Sequence, residues 1–275
     1  MFRILDARTL TPVTKLFVVE APLVARKTQP GQFIILRLHE RGERIPLTIA
    51  DFDPQAGTVT IVFQEVGKST RELGVLRAGD AIRDFVGPLG VPADLPGHGT
   101  VVCVGGGVGV APVLPKAKAM HEAGVKVISI IGARSRDLLI LEEEMRAVSA
   151  ALHICTDDGS YGRKGFVSEV LKDVLAGGQV DEVVAVGPLP MMRACVEVTR
   201  PLGVKTWVSM NTIMVDGTGM CGACRLTVGG KTKFCCVDGP MFDGHEVDFA
   251  EAMRRNLIYA EEEKRAGECA CGGGR

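Results

Sequence analysis

The chain has 275 residues, 46% of them apolar, and a formal net charge of −1, enough for about two domains with an appended module. That balance leaves no electrostatic footprint for nucleic acid, no apolar run reaches the roughly eighteen residues of a membrane span, and the opening MFRILDARTL lacks a signal-peptide plan. Nine cysteines, several clustered and none in a regular framework, fit metal binding in a reducing compartment better than disulfides, so a cytoplasmic protein is expected.

Residues 1–97 read as short strands at 2–10, 15–20, 32–39, 45–50, 58–65 and 81–86, punctuated by turn signals such as Pro30-Gly31 and Asp53-Pro54. Only 70–76 reads as helix, and the spacing predicts a small antiparallel β-barrel. Gly67, Lys68, Ser69 and Thr70 lead into that helix, where free amides, hydroxyls and a lysine charge suit a phosphate. An ordinary helix cap is the alternative.

Residues 98–210 alternate strands and helices. The apolar strand 100–104 runs into Gly105-Gly106-Gly107-Val108-Gly109-Val110-Ala111-Pro112 and then a helix over 113–123. Strands at 126–131, 151–156, 182–186 and 206–210 alternate with helices at 139–149, 166–176 and 191–201. This predicts a doubly wound parallel α/β sheet with ligands at the carboxyl ends of its strands. Glycines between strand and helix let a pyrophosphate approach the backbone amides, although a tight turn without a ligand reads the same way. Gly187 and Pro188, with Met191, end another strand and form the second wall of such a cleft. Arg134 and Arg136 follow a strand where a 2′-phosphate could bind, with Ala133 a further cofactor-binding candidate there, and Asp157-Asp158-Gly159-Ser160, Asp158 above all, either touches a ribose hydroxyl or turns the chain.

Residues 211–249 carry the densest chemistry. Asp216, Cys221, Cys224 and Cys236 occupy the positions of the plant-type 2Fe–2S pattern C-x4-C-x2-C with a distant fourth ligand, aspartate standing first. Glycines wrapped between the donors favour iron–sulfur, while zinc is the alternative for close cysteine pairs. Residues 225–228 and 231–235 read as a hairpin around Gly229-Gly230. In an extended chain Cys235 and Cys236 point to opposite sides, so one ligates and the other packs. Cys103, Cys155 and Cys195 fall in apolar elements and read as core residues. Residues 250–275 are expected to be a helix followed by a loose tail, in which Cys269 and Cys271 are either an extra metal or redox pair or incidental thiols.

Barrel with a Gly-x-Ser-Thr loop, sheet with GGGVGVAP and Gly-Pro, then ferredoxin-like cysteines: this order resembles the ferredoxin-NADP reductase superfamily, and within it the electron-transfer subunit of dihydroorotate dehydrogenase B. The stretches 43–49, 132–140, 156–162 and 216–236 are most similar to the branch of small subunits of NADH-dependent reduced ferredoxin:NADP oxidoreductase, also described as sulfide dehydrogenase beta subunits. The resemblance implies FAD on the barrel, with the superfamily's Arg-x-Tyr-Ser motif falling on Ile45, Pro46, Leu47 and Thr48, the arginine displaced to Arg44 and tyrosine replaced by Leu47. It implies that Val62, Phe63 and Gln64 line the flavin, that Ser69 and Thr70 hold its pyrophosphate, and that NAD(H), with NADP(H) open, lies across 105–112 with its nicotinamide near Gly187 and Pro188. Relatives carry cysteine where Val186 stands and, in the dihydroorotate branch, where Asp216 stands.

An oxidoreductase subunit follows, one that exchanges hydride with the nicotinamide and single electrons with the cluster, without a catalytic acid–base pair. Its implied partner is a larger subunit with a second flavin and 4Fe–4S clusters, and through it ferredoxin, in flavin-based electron bifurcation. The alternatives are a sulfide or polysulfide dehydrogenase, a glutamate synthase-like or dihydroorotate dehydrogenase-type complex, or a zinc-stabilised nucleotide-binding regulator.

Overall fold

The structure, a computed structural model, describes residues 1–271, with side chains through residue 266. In the first third, β1 (Phe2–Thr11), β2 (Thr14–Glu20), β3 (Phe33–Arg37), β4 (Ile45–Asp53), β5 (Thr58–Gln64), β6 (Ala81–Ile82) and β7 (Asp84–Leu89) form a sheet ordered β6-β1-β2-β5-β4-β3-β7. Every pairing is antiparallel, and the sheet curls into a near-closed barrel. Its interior packs Ile4, Phe17, Ile34, Ile61 and Phe63, with the Phe17 and Phe63 rings edge to face at 5.1 Å.

Two details depart from the sequence reading. The strand expected over 81–86 is divided, because β6 pairs with β1 while β7 crosses to pair with β3. A second helix, α1 (Pro22–Ala25), precedes the expected one, α2 (Lys68–Gly74); Pro22 at its first turn presets the helical φ.

The second unit has β8 (Thr100–Gly106), β9 (Lys126–Ala133), β10 (Ala151–Thr156), a two-residue β11 (Arg163–Lys164), β12 (Glu182–Val186) and β13 (Lys205–Ser209). The long strands run parallel in the order β10-β9-β8-β12-β13. Helices α3 (Val110–Glu122) and α4 (Glu142–Ala147) cover one face, while α5 (Val167–Gly177) and α6 (Leu189–Thr199) cover the other. Along β8, Val101 and Cys103 face α3, and Val102 and Val104 face α5 and α6. Burial on both faces is why these strands read as unbroken apolar runs. Cys103, Cys155 and Cys195 lie buried among them, as expected.

The third unit is a hairpin, β14 (Arg225–Val228) and β15 (Lys231–Phe234), turned by Gly229 and Gly230, both at positive φ. The chain then makes a single helical turn, α7 (Cys235–Asp238), and β16 (Met241–Asp243) pairs antiparallel with β13, extending the parallel sheet. Phe33 and Ile35 of the barrel share one apolar cluster with Cys224, Cys235 and Cys236, so barrel, sheet and hairpin are packed together. Helix α8 (Phe249–Arg255) is capped by Asp248, whose carboxylate accepts the Glu251 amide at 2.8 Å.

The segment expected to be loose is instead α9 (Ala260–Cys271), packed against α2. Its helix-forming residues, three glutamates in the first turn and the Glu261–Arg265 pair at 3.8 Å explain the difference. The side chains of Cys269 and Cys271 lie outside the described residues. Among the described residues no helix is long and apolar enough to cross a membrane.

Candidate functional site

β8 and β12 are neighbours from which the crossovers run in opposite directions, which opens a crevice at their carboxyl ends. The barrel closes that crevice on its other side, leaving a cavity of about 940 Å³ along the seam. Lys118 of α3 and Asp51 of β4 bridge the seam at 2.6 Å.

The glycine loop forms the sheet-side wall through Gly106, Gly107, Gly109 and Pro112. Gly107 has φ +56, and Gly109 is confined by β12: a Cβ there would stand 2.3 Å from the Val186 carbonyl oxygen. Helix α3 starts without a side-chain cap; its Val110 amide already donates to the Gly107 carbonyl and Pro112 has no N–H, so what this end offers an anion is the positive end of the helix dipole and the close backbone approach its glycines allow. Gly187, Pro188 and Met191 complete this wall, while Gly105 and Ala111 stand outside the lining. Ala133 and Arg134 also line the cavity.

On the barrel side, Pro46, Leu47 and Thr48 of β4 and Val62, Phe63 and Gln64 of β5 line the cavity, together with Thr70. The Thr70 hydroxyl closes the helix start: it accepts the Gly67 amide at 3.0 Å and donates to the Gly67 carbonyl at 3.1 Å. Ser69 is buried and its hydroxyl donates to the Glu43 carboxylate, so neither it nor Gly67 lines the cavity. Arg44 and Lys68 are exposed and also stand outside the lining.

At the far end, Asp157 lines the cavity and Asp158 does not. The Asp158 carboxylate accepts the Ser160 hydroxyl at 2.6 Å and the Ser160 amide at 2.9 Å, and these bonds hold it below the usual carboxylate range. What it visibly does is shape the turn beneath Arg136, which stacks over Tyr161 at 5.0 Å.

The four candidate donors of the cysteine loop fall into two neighbouring pairs. Cys224 and Cys236 are buried with sulfurs 3.2 Å apart, and burial pushes the Cys236 thiol up to about 12. Asp216 accepts the amides of Thr218 at 2.9 Å and of Cys221 at 2.8 Å, the first of these lowering its pKa most, while Cys221 is exposed. Among the described residues no three His, Cys, Asp or Glu side chains converge as for a single metal ion. Two pairs of donors suit a two-iron cluster, which takes four protein ligands for its two irons, better than one zinc, which draws four donors to a single point. Cys235 does diverge from Cys236, but within a helical turn rather than an extended strand: its thiol donates to the Met210 carbonyl at 3.2 Å.

The sequence reading missed part of the lining: Phe33, Phe166, Ser209, Asn211, Thr212 and Met214. Residues 211–214 fall, by sequence, within the 211–249 cluster module, and no role at the nucleotide cleft is expected of them. Their one signal was position, directly after the last parallel strand on the ligand side of the sheet.

Comparison with known proteins matches residues 211–248 to the iron-sulfur cluster binding domain of dihydroorotate dehydrogenase B, and residues 103–197 to the oxidoreductase NAD-binding domain. A dihydroorotate dehydrogenase B (NAD(+)) electron transfer subunit homolog from Thermotoga maritima is 49% identical, over 90% of this chain and 88% of that protein. The dihydroorotate dehydrogenase B (NAD(+)) electron transfer subunit of Geobacillus thermodenitrificans is 34% identical, over 89% of this chain and 96% of its own length. Among solved structures, a chain of NADH-dependent reduced ferredoxin-NADP oxidoreductase, studied for flavin-based electron bifurcation, superimposes with a TM-score of 0.93 at 45% identity, over 98% of this chain and 97% of that one.

Proposed function

This chain belongs to the family of dihydroorotate dehydrogenase B electron-transfer subunits and their homologues, and from that membership we propose that it is the small electron-transfer subunit of a flavin-based bifurcating oxidoreductase, carrying FAD and a 2Fe–2S cluster and exchanging hydride with NAD(H). The carrying observation is the seam cavity. It brings a barrel wall, a glycine loop and the segment leading to the cysteine loop around one space, of a size that suits a dinucleotide and a flavin ring.

The residues present fit these groups. Thr48, Val62, Phe63 and Gln64 line the barrel wall and would hold the flavin ring, Leu47 would offer it an aliphatic face where relatives have tyrosine, and Thr70 would serve its phosphates. Gly106, Gly107, Gly109 and the positive end of the α3 dipole would hold the dinucleotide pyrophosphate, while Gly187, Pro188 and Met191 would seat the nicotinamide. Arg134 and Asp157 meet the adenosine end. Exposed Arg44 and Lys68 serve as peripheral phosphate contacts. Asp216, Cys221, Cys224 and Cys236 ligate the cluster. When bound, the flavin supplies the chemistry, taking or giving a hydride on one side and single electrons on the other. The chain's own contribution would be orientation: the walls of one cavity would hold flavin and nicotinamide side by side, and residues 210–214 join that wall to the cysteine loop. No side chain is assigned a proton to move.

A larger subunit completes the enzyme, and we propose that it carries the second flavin and 4Fe–4S clusters and delivers electrons to ferredoxin in the cytoplasm. Purifying the native complex and assaying NADH, NADPH, ferredoxin and polysulfide tests this. NADH turnover tightly coupled to both ferredoxin and NADP(H) is expected, and turnover indifferent to ferredoxin contradicts bifurcation. A colourless chain containing zinc and no flavin would remove the whole reading.

A further inference from the structure

Among the described residues one buried side-chain polar atom lacks a hydrogen-bond partner, the hydroxyl of Thr212. The residue is 7% exposed and forms part of the wall of the seam cavity. The Cys235 thiol is its neighbour, and both the side chain and the backbone of Thr212 act on that thiol to offset part of the rise that burial causes; the thiol nonetheless donates to the Met210 carbonyl at 3.2 Å, and the hydroxyl's distance and angle to the sulfur fall short of a hydrogen bond. An unpaired buried hydroxyl has given up its hydrogen bonds to water without replacing them. Such a group points to a partner that arrives from outside the chain, and the cavity is where one has room to arrive.

The wall around Thr212 faces the barrel. Met210 and Met214, on either side of it, belong to the same apolar cluster as Phe33 of β3, and all of them line the cavity. With FAD assigned to the seam, the barrel side holds the resident flavin. A resident ring satisfies the hydroxyl throughout turnover, whereas a nicotinamide would orphan it each time product left.

We propose that the Thr212 hydroxyl hydrogen-bonds a heteroatom of the flavin ring, making Thr212 a cofactor-binding residue on the cluster side of the cavity. This rests on the assignment of FAD to the seam. The connector then links two centres, because the segment that touches the ring at Thr212 is tied through the Met210 carbonyl to Cys235, the neighbour of cluster donor Cys236. A ring held at Thr212 is thereby held in register with the cysteine loop.

The test uses the full chain, flavin-depleted and titrated with FAD by flavin fluorescence, with the iron–sulfur visible spectrum as an independent check of folding. Thr212→Val, which keeps the shape and removes the hydroxyl, is expected to raise the FAD Kd about tenfold and to shift the flavin midpoint potential. Thr212→Ser is expected to remain within about twofold of the parent, since it keeps the hydroxyl. NADH affinity of the FAD-loaded chain should be unchanged in both. Thr212→Ala is the second variant should valine disturb packing, and it must show the same loss. A Thr212→Val chain with the parent's FAD Kd and potential overturns the proposal, as it would if ordered water were the partner. So does a variant that loses NADH affinity alone, which assigns the hydroxyl to the nicotinamide. A parent chain that binds no FAD is a different result, and sinks the cofactor assignment itself.

Discussion

Cys224 and Cys236 stand twelve residues apart in the chain and 3.2 Å apart at their sulfurs. The β14–β15 hairpin is what closes that distance: its two-glycine turn returns the chain, and the Cys235 amide donates back to the Cys224 carbonyl at 3.1 Å. Asp216 and Cys221 are held together by the Cys221 amide, which donates to the Asp216 carboxylate at 2.8 Å, and the Cys221 side chain also bears on that carboxylate. The hairpin thus supplies one donor from each end of itself, and the glycine-rich loop supplies the rest.

The pairing separates adjacent cysteines by experiment. Cys224→Ser and Cys236→Ser are expected to lose most iron and the visible charge-transfer bands, because each removes a donor of the buried pair. Cys235→Ser should keep its iron, since that thiol bonds to the Met210 carbonyl and a hydroxyl can do the same. Iron analysis of the three purified variants decides it, and iron loss in Cys235→Ser would reassign the ligand.

Replacing Asp216 by cysteine should preserve a cluster and change its potential. A carboxylate is a harder donor than thiolate, and the substitution alters both ligand type and hydrogen bonding at that iron. Redox titration followed by electron paramagnetic resonance checks this; a midpoint identical to the parent's would contradict the ligand role of Asp216.

Gly109→Ala is expected to impair the nucleotide wall and the fold beneath it. The added methyl meets the Val186 carbonyl oxygen at 2.3 Å and the Gly187 Cα at 2.8 Å, both backbone, so relief requires moving β12 or the loop. A cost of about 1–3 kcal/mol and a loss of NADH affinity are expected, with FAD content retained. Thermal unfolding and NADH titration measure the two effects.

Lys116 offers a pH-dependent prediction. It is wholly buried in α3, its amine donating to the Pro112 carbonyl at 2.7 Å, and burial lowers its pKa to about 8. The folded chain therefore binds fewer protons at this site than the unfolded chain between about pH 8 and 10.5, and this contribution to stability rises with pH across that window. Below pH 8 the buried charge is a cost, so Lys116→Met should stabilise the chain at pH 7 by about 1–3 kcal/mol, and the advantage should shrink as pH rises. Cys103, pushed up to about 12 by its burial, acts in the opposite sense above pH 9, because the unfolded thiol ionises first. Denaturant unfolding of parent and variant from pH 7 to 9 reads the difference, and a less stable variant at pH 7 would contradict it.

Much of the site was legible because its signals are local. A strand ending in Gly105–Gly107 followed by a helix, a Gly-Pro after β12, and cysteines at fixed spacing each declare themselves within about ten residues. The loop around Ser69 was less legible. Hydroxyls at a helix start look alike whether they await a phosphate or serve the chain, and here Ser69 meets Glu43 while Thr70 caps its own helix. Asp158 stayed open in the sequence for the same reason: a carboxylate after a strand suits a ribose contact or a turn equally, and here it accepts the Ser160 hydroxyl and amide. The tail read as loose from its composition, and became helix through pairs along its own turns and packing on α2.

By itself the amino-acid order determined what is written in periodicity and short spacing: the barrel strands, the doubly wound sheet, the glycine loop and the spacing of the candidate donors 216, 221, 224 and 236. Tertiary structure alone decided what depends on surfaces meeting from distant parts of the chain. Only packing of the barrel against the sheet made one cavity of two walls, and only the return of the hairpin brought Cys236 to Cys224 while sending Cys235 toward Met210. Residues 210–214 carry no periodic or compositional mark, because their place in the wall comes from the barrel strand opposite them. The orphaned hydroxyl of Thr212 is visible only once everything around it has been packed.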